Sequence, residues 1–168
     1  MSRTPPPPWP AGAWPRLRLV LATVGFAGYA RVGPGTAGSL AALAGLLALQ
    51  LADPPQPLTL WLAVAVLTAA SVGVGWSCTR AYNLSDPSWF VLDEAAGMAT
   101  ALACGPGFGV LEVVAALTLF RVLDVVKPPP IRQLERLPGG LGITADDFVA
   151  GAVAGLLVRL GWRLAGGA

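Results

Sequence analysis

Six of the chain's nine acidic residues fall in three short segments that abut stretches almost free of charge. The segments are Asp86-Pro87-Ser88-Trp89-Phe90-Val91-Leu92-Asp93-Glu94, Phe120-Arg121-Val122-Leu123-Asp124-Val125-Val126-Lys127-Pro128 and Gly139-Gly140-Leu141-Gly142-Ile143-Thr144-Ala145-Asp146-Asp147. An ionised carboxylate beside or inside hydrocarbon is costly unless a cation or a metal neutralises it. The pattern therefore points to metal-assisted chemistry at the face of a membrane. Asp93, Glu94, Asp124, Asp146 and Asp147 are the candidate metal ligands, with Asp93, Asp124 and Asp147 as candidate catalytic residues. Magnesium takes oxygen ligands and keeps several waters, so two or three of these carboxylates make a credible site.

Arg121, Asp124 and Lys127 recur at i, i+3 and i+6, which places the acid between two cations on one helix face. Lys127-Pro128-Pro129-Pro130 ends that helix, since a residue before proline avoids the α region. Arg121 and Lys127 are thus held at a rigid terminus suited to a phosphate. A snorkelling cationic flank with a local salt bridge accounts for them equally well. Gly33-Pro34-Gly35-Thr36-Ala37-Gly38-Ser39 contains G-x-G-x-x-G but lacks the strand before it and the acid after it that a dinucleotide site needs. A glycine turn entering a helix can still bind an anion through backbone N–H groups, which makes Gly35, Thr36 and Ser39 candidate phosphate contacts. Helix capping by Thr36 or Ser39 is the plainer use. Gly139 and Gly140 join the phosphate set as part of a flexible glycine loop. Asp146 and Asp147 are expected after it in a first helical turn, where the helix dipole favours carboxylates.

The surroundings of these motifs are hydrocarbon. Of 168 residues 55% are hydrophobic and 12% charged, and mean hydropathy is +0.66. Globular domains average roughly 25% charged residues, so a soluble domain of this size would lack the charge to cover its surface. A net charge of +2 gives no basic excess of the kind nucleic acid requires. The chain has no histidine, which excludes histidine nucleophiles, bases and zinc ligands. Cys78 and Cys104 lie in apolar runs and start no Cys-x5-Arg loop, so they read as small buried hydrophobes.

The elements that must position the acids follow from the apolar runs. Residues 1–15 are proline-rich and expected to be disordered or extended, leaving residues 16–168 as one domain. Residues 19–30 suggest an interfacial helix, residues 36–51 a short first span, and the charge-free residues 58–78 a second span. Asp53-Pro54-Pro55-Gln56-Pro57 breaks the chain between the two spans. Residues 89–120 read as a helical hairpin turning at Cys104-Gly105-Pro106-Gly107-Phe108-Gly109, which brings Asp93 and Asp124 to one membrane surface. A final helix runs from about Asp146 to Leu164, with Gly151 and Gly155 spaced for close helix contact. The expected fold is all-α: a small polytopic membrane protein of about four to five apolar helices with an acidic site at the cytoplasmic face. The positive-inside rule supplies that orientation, because Arg3, Arg16, Arg18, Arg31, Arg80, Arg121, Lys127, Arg132 and Arg136 all fall on one side. Arg159 and Arg163 point outward against it.

In order from about Leu21 to Gly155, the chain resembles the phosphatidylglycerophosphatase A family of bacterial membrane lipid phosphatases. The resemblance is carried by Val24-Gly25-Phe26-Ala27-Gly28 with Gly33 to Ser39, Asp93-Glu94 with Gly97, Phe120 to Pro128 with Pro130-Ile131, and Gly139 to Ile143 with Asp146-Asp147. Two features depart from it: a compact connection at Gly105–Gly109, and Thr144-Ala145 where a larger apolar residue and another hydrophobe or polar residue are expected. The resemblance implies Mg²⁺-dependent removal of phosphate from phosphatidylglycerophosphate, giving phosphatidylglycerol, by a multi-pass protein of the bacterial inner membrane. Two routes fit the residues, a water activated by Mg²⁺ or an aspartate nucleophile, and the absence of a haloacid-dehalogenase-type Asp-x-Asp favours the water. Arg121 and Lys127 would then neutralise charge on the phosphoryl oxygens.

Two rival functions fit less well. A CDP-alcohol phosphatidyltransferase would need an Asp-Gly-x2-Ala-Arg core, which is absent. An ion-binding or transport protein would show internal repeats, and none is visible. The cation distribution carries a testable consequence: a cysteine introduced at Gln133 labels only from the cytoplasmic side. Labelling of intact cells by an impermeant reagent would overturn the orientation.

Overall fold

The computed structural model describes residues 5–52, 57–84 and 87–166. Among them are seven α-helices and no strand: α1 (Ala13–Ala22), α2 (Pro34–Ala52), α3 (Pro57–Tyr82), α4 (Leu92–Cys104), α5 (Val110–Val126), α6 (Ile131–Leu134) and α7 (Gly140–Leu164), with a 3-10 turn at Ala27–Tyr29. The expected break at Asp53 to Gln56, and Asp86, lie outside the described residues. Three helices are long and apolar enough to cross a bilayer, at Pro34–Leu51, Pro57–Tyr82 and Gly140–Leu164. Their outer faces suit lipid: Leu62 and Val66 of α3 and Leu156 and Leu160 of α7 are exposed large hydrophobics.

Several boundaries differ from expectation, each for a local reason. The interfacial helix starts at Ala13 rather than Leu19, and so takes in Ala13–Pro15 of the segment expected to be disordered. Pro15 is tolerated there because a first-turn N–H has no helical acceptor to lose. That helix stops at Ala22, before Val24 and Phe26 adopt positive φ. The last helix begins at Gly140, six residues before Asp146, so residues 140–142 are helix and not loop. Gly140 is needed for approach rather than flexibility, since a Cβ there would fall on the Val72 carbonyl of α3.

The core is organised around α4. At 13 residues it is about 20 Å long, short of the ~30 Å hydrocarbon core. It is enclosed by protein instead: Leu92, Asp93 and every residue from Ala95 to Leu102 are buried. Its closest neighbour is α7. A Cβ at Gly151 would fall on the carbonyl of Gly97, and one at Gly155 on the carbonyl of Ala101. A Cβ at Gly97 in turn would lie 2.8 Å from the carbonyl of Asp147. The two helices therefore run in parallel with constant register, backbone against backbone, as small residues four apart allow. Phe120 of α5 closes a third side, 2.6 Å from the position of a Gly97 Cβ. Thr144, one of the residues that depart from the family pattern, pairs its hydroxyl with Ser71 of α3 at 2.7 Å.

Two further contacts fix the ends of α4. At its start, the Val91 N–H donates to the Ala22 carbonyl (2.8 Å), tying the preceding turn to α1. At its end, Arg159 of α7 donates through Nε (3.3 Å) and Nη2 (2.6 Å) to the Gly105 carbonyl. That gives Arg159, which opposed the charge rule, a cap on a helix C-terminus where a cation is favourable.

The glycine register predicts a contrast within one helix. Gly151→Ala must push a methyl into backbone, and should cost about 1–3 kcal/mol as overpacking does. Gly161→Ala on the same helix meets nothing within 4 Å and should be neutral or slightly stabilising. Thermal unfolding of both variants in detergent checks this, and equal midpoints would refute the close contact.

Candidate active site

One end of the bundle opens into a cavity of about 1000 Å³. Its walls come from the start of α2 (Gly33, Pro34, Gly35), the end of α3 (Thr79, Arg80, Asn83), the first turn of α4 (Asp93, Glu94), the last turns of α5 (Arg121, Asp124, Lys127) and the start of α7 (Gly139, Gly142, Asp146, Asp147). Register explains the convergence. Asp93 lies four residues before Gly97, and Asp147 four before Gly151, so each carboxylate stands one turn along from the glycine contact and on the same face. Asp147 is therefore two turns inside α7 and not in its first turn. The helix dipole does not account for it.

The acids form two overlapping sets. Asp93, Glu94 and Asp147 each offer an oxygen within 4.8 Å of the others, and Asp124, Asp146 and Asp147 do likewise. Asp93, Asp124, Asp146 and Asp147 are all buried. Arg121 Nη1 stands 2.6 Å from Asp124 Oδ2. Lys127 Nζ donates at 2.6 Å both to Asp146 Oδ2 and to Glu135 Oε1. Burial lowers the tendency of Lys127 to hold its proton, but the hydrogen bonds to Asp146 and Glu135 outweigh that and raise it above the ordinary lysine range.

These pairs leave oxygens over. Glu94 Oε2, Asp146 Oδ1 and Asp147 Oδ2 are buried with no hydrogen-bond partner among the described residues. A buried polar atom without a partner costs about 1–3 kcal/mol, more when charged, and a cation is one partner that could satisfy three from separate carboxylates at once. The donor set fits a hard divalent ion. Trans oxygens lie about 4.2 Å apart on Mg²⁺ and about 4.8 Å apart on Ca²⁺, given ligand distances of about 2.1 and 2.4 Å. Either set reaches that span with little movement.

Arg121 has donors to spare. Its Nε and Nη1 are buried and make no hydrogen bond to a described residue, although Nη1 forms an ion pair with Asp124. A guanidinium fork held this way suits a phosphoryl group. Gly35 makes room for it: a Cβ there would fall on Glu94 Oε1 and within 2.8 Å of Arg121 Nη2.

The other sequence-derived phosphate residues separate. Gly35, Lys127 and Gly139 line the cavity, whereas Thr36, Ser39 and Gly140 are not among its walls. Ser39 Oγ donates to its own helix at Gly35 O (3.0 Å), and Gly140 faces α3. Glu135, Thr79, Arg80 and Asn83 were not foreseen as cavity residues. Arg80 carried the one available signal, a cation ending a charge-free stretch on the same side as the acids.

Comparison with known proteins identifies the family. The family model described as "Phosphatidylglycerophosphatase A" matches residues 20–162, a stretch that contains every acid of the cluster. A "Phosphatidylglycerophosphatase A" of Escherichia coli is 37% identical over 152 residues, covering 86% of this chain and 85% of the relative. One of the same name from Haemophilus influenzae is 34% identical over 145 residues, covering 82% and 85%. A "Putative phosphatidylinositol-3-phosphatase" of Bacteroides thetaiotaomicron is 34% identical over 151 residues, covering 87% and 94%. No solved structure gives a significant match.

Proposed function

The chain belongs to the phosphatidylglycerophosphatase A family and is a phosphatase, and from that premise we propose that it hydrolyses the phosphate monoester of phosphatidylglycerophosphate with Mg²⁺ in its acidic cluster. The observation that carries the proposal is one cavity holding both buried, unpartnered carboxylate oxygens and the spare donors of Arg121. Asp93, Glu94, Asp124, Asp146 and Asp147 would hold the metal. Bound there, Mg²⁺ would offset charge on the phosphoryl oxygens and acidify the attacking water.

The protein's own groups do the rest. Arg121 would offer guanidinium N–H groups, Nε–H first since Nη1 already stands against Asp124, to the phosphoryl oxygens and stabilise the charge that builds on them. Water oxygen bonds to phosphorus as the bond from phosphorus to the glycerol oxygen breaks. One water proton passes to a carboxylate of the cluster, and the leaving oxygen takes up a proton to become the free hydroxyl. Lys127 has a supporting part, because Asp146 and Glu135 already occupy its ammonium. It holds Asp146 in place and sets a positive charge beside it.

Three apolar helices of spanning length leave the cavity at one end of the bundle, where a lipid head group enters while its acyl chains stay in the bilayer. The cation distribution supports the cytoplasmic face of a bacterial inner membrane for that end. The Bacteroides relative's name refers to a different lipid, yet its chemistry is shared: a phosphate monoester on a polyol joined to diacylglycerol. The family model and two of the three relatives favour the glycerol head group.

Purified protein in mixed micelles should release phosphate from phosphatidylglycerophosphate faster than from phosphatidylinositol 3-phosphate, lose that activity in EDTA and regain it with Mg²⁺. Full turnover in a metal-free preparation would sink the metal-dependent mechanism. Arg121→Lys keeps the charge but loses the fork, and should lower kcat/KM by about 10²–10³-fold, the scale of losing a preorganised donor. Lys127→Met should affect kcat less and thermal stability more. Wild-type kinetics for Arg121→Lys would remove Arg121 from the phosphate site.

A further inference from the structure

The geometry points to a pair of divalent cations bridged by Asp147, one held with Asp93 and Glu94 and the other with Asp124 and Asp146. This rests on the metal-dependent reading above and adds the number of ions and the residue that joins them. Asp147 is the only member common to the two acid sets, and the sets do not merge into one group at the same 4.8 Å spacing. In this arrangement the five carboxylates surround two points rather than one.

Unpartnered oxygens appear on both sides. Glu94, a member of the first set, and Asp146, a member of the second, each have one such oxygen (Oε2 and Oδ1), and Asp147, which belongs to both, has another (Oδ2). Asp146 and Asp147 are each only 3% exposed, so bulk water does not satisfy these atoms. One ion would relieve one set and leave an orphaned oxygen in the other.

Charge gives an independent argument. Ionised as metal ligands, the five carboxylates against Arg121 and Lys127 leave an excess of three negative charges, and the other charged cavity residues, Glu135 and Arg80, offset each other. A phosphate monoester brings about −1.5 to −2 more near neutral pH. With one divalent ion the cluster stays negative and repels it. With two the cluster becomes positive by one charge and attracts it. Paired ions that share a carboxylate also suit a displacement at phosphorus, where charge develops on attacking and leaving oxygens alike.

The test counts ions rather than turnover. Full-length protein in detergent is stripped of metal and dialysed against Mn²⁺, and bound Mn²⁺ is measured together with its electron paramagnetic resonance spectrum. The expected result is two Mn²⁺ per chain with a spin-coupled signal. Glu94→Gln and Asp146→Asn, on different helices, should each bind one ion and lose the coupling. Asp147→Asn should weaken both ions by at least tenfold. One ion per chain in the wild-type protein would overturn the pair while leaving metal dependence intact. Two uncoupled ions, with wild-type affinity retained in Asp147→Asn, would overturn the bridge. No bound Mn²⁺ at all would overturn both this inference and the metal-dependent reading beneath it. Gln and Asn preserve side-chain volume, and measuring the two outer variants separately keeps the count decisive if either fails to fold.

Discussion

Backbone contact between α4 and α7 is the constraint on which the rest of the structure depends. Gly151 against Gly97, and Gly155 against Ala101, bring two parallel helices close enough that no side chain separates them. One turn further along the same faces, no side chain can separate Asp93 from Asp147 either. Two carboxylates brought together by helix packing repel each other, and hydrocarbon around them strengthens that repulsion. The bundle therefore spends apolar packing, which is favourable, on holding together charges that are not. Enclosing α4 on several sides, by α2, α3, α5 and α7, makes that possible in a chain with few large core residues.

Partial neutralisation is what gives the site its chemistry. Lys127 ties Asp146 to Glu135, and Arg121 stands against Asp124, so Asp146 and Asp124 each have a cation from the protein within salt-bridge distance. Were all five matched in this way, neither a metal nor a phosphate would find a vacancy. The remaining buried oxygens and the unused Arg121 donors are complementary deficits at one cavity wall. Thr79 and Arg80 at the end of α3, with Asn83 just beyond it, add polar groups to the same cavity.

Much of this was legible in the sequence because it rests on cost. Acids in apolar surroundings stand out whatever the fold, so Asp93, Glu94, Asp124, Asp146 and Asp147 were identifiable without coordinates, and Gly151 with Gly155 marked a packing face. Helix starts were less legible. Gly140 and Gly142 look like loop residues, yet they lie inside α7 because α3 and the Leu137 carbonyl approach too closely for a side chain. Local propensity reports flexibility, and only tertiary contact turns it into close packing. For the same reason Ser39 looked like a phosphate ligand although its hydroxyl bonds back to Gly35. Glu135 gave no signal at all, being a single acid in a charged segment whose partner, Lys127, is eight residues away.

The account's central claim is that helix contact, and not the ligands alone, builds the proposed cation site. Mn²⁺ affinity of Gly151→Ala, measured on folded protein beside Gly161→Ala, tests it most directly, because neither residue is a ligand. The account predicts at least tenfold weaker binding for Gly151→Ala and wild-type binding for Gly161→Ala. Wild-type Mn²⁺ affinity in a folded Gly151→Ala protein would contradict it.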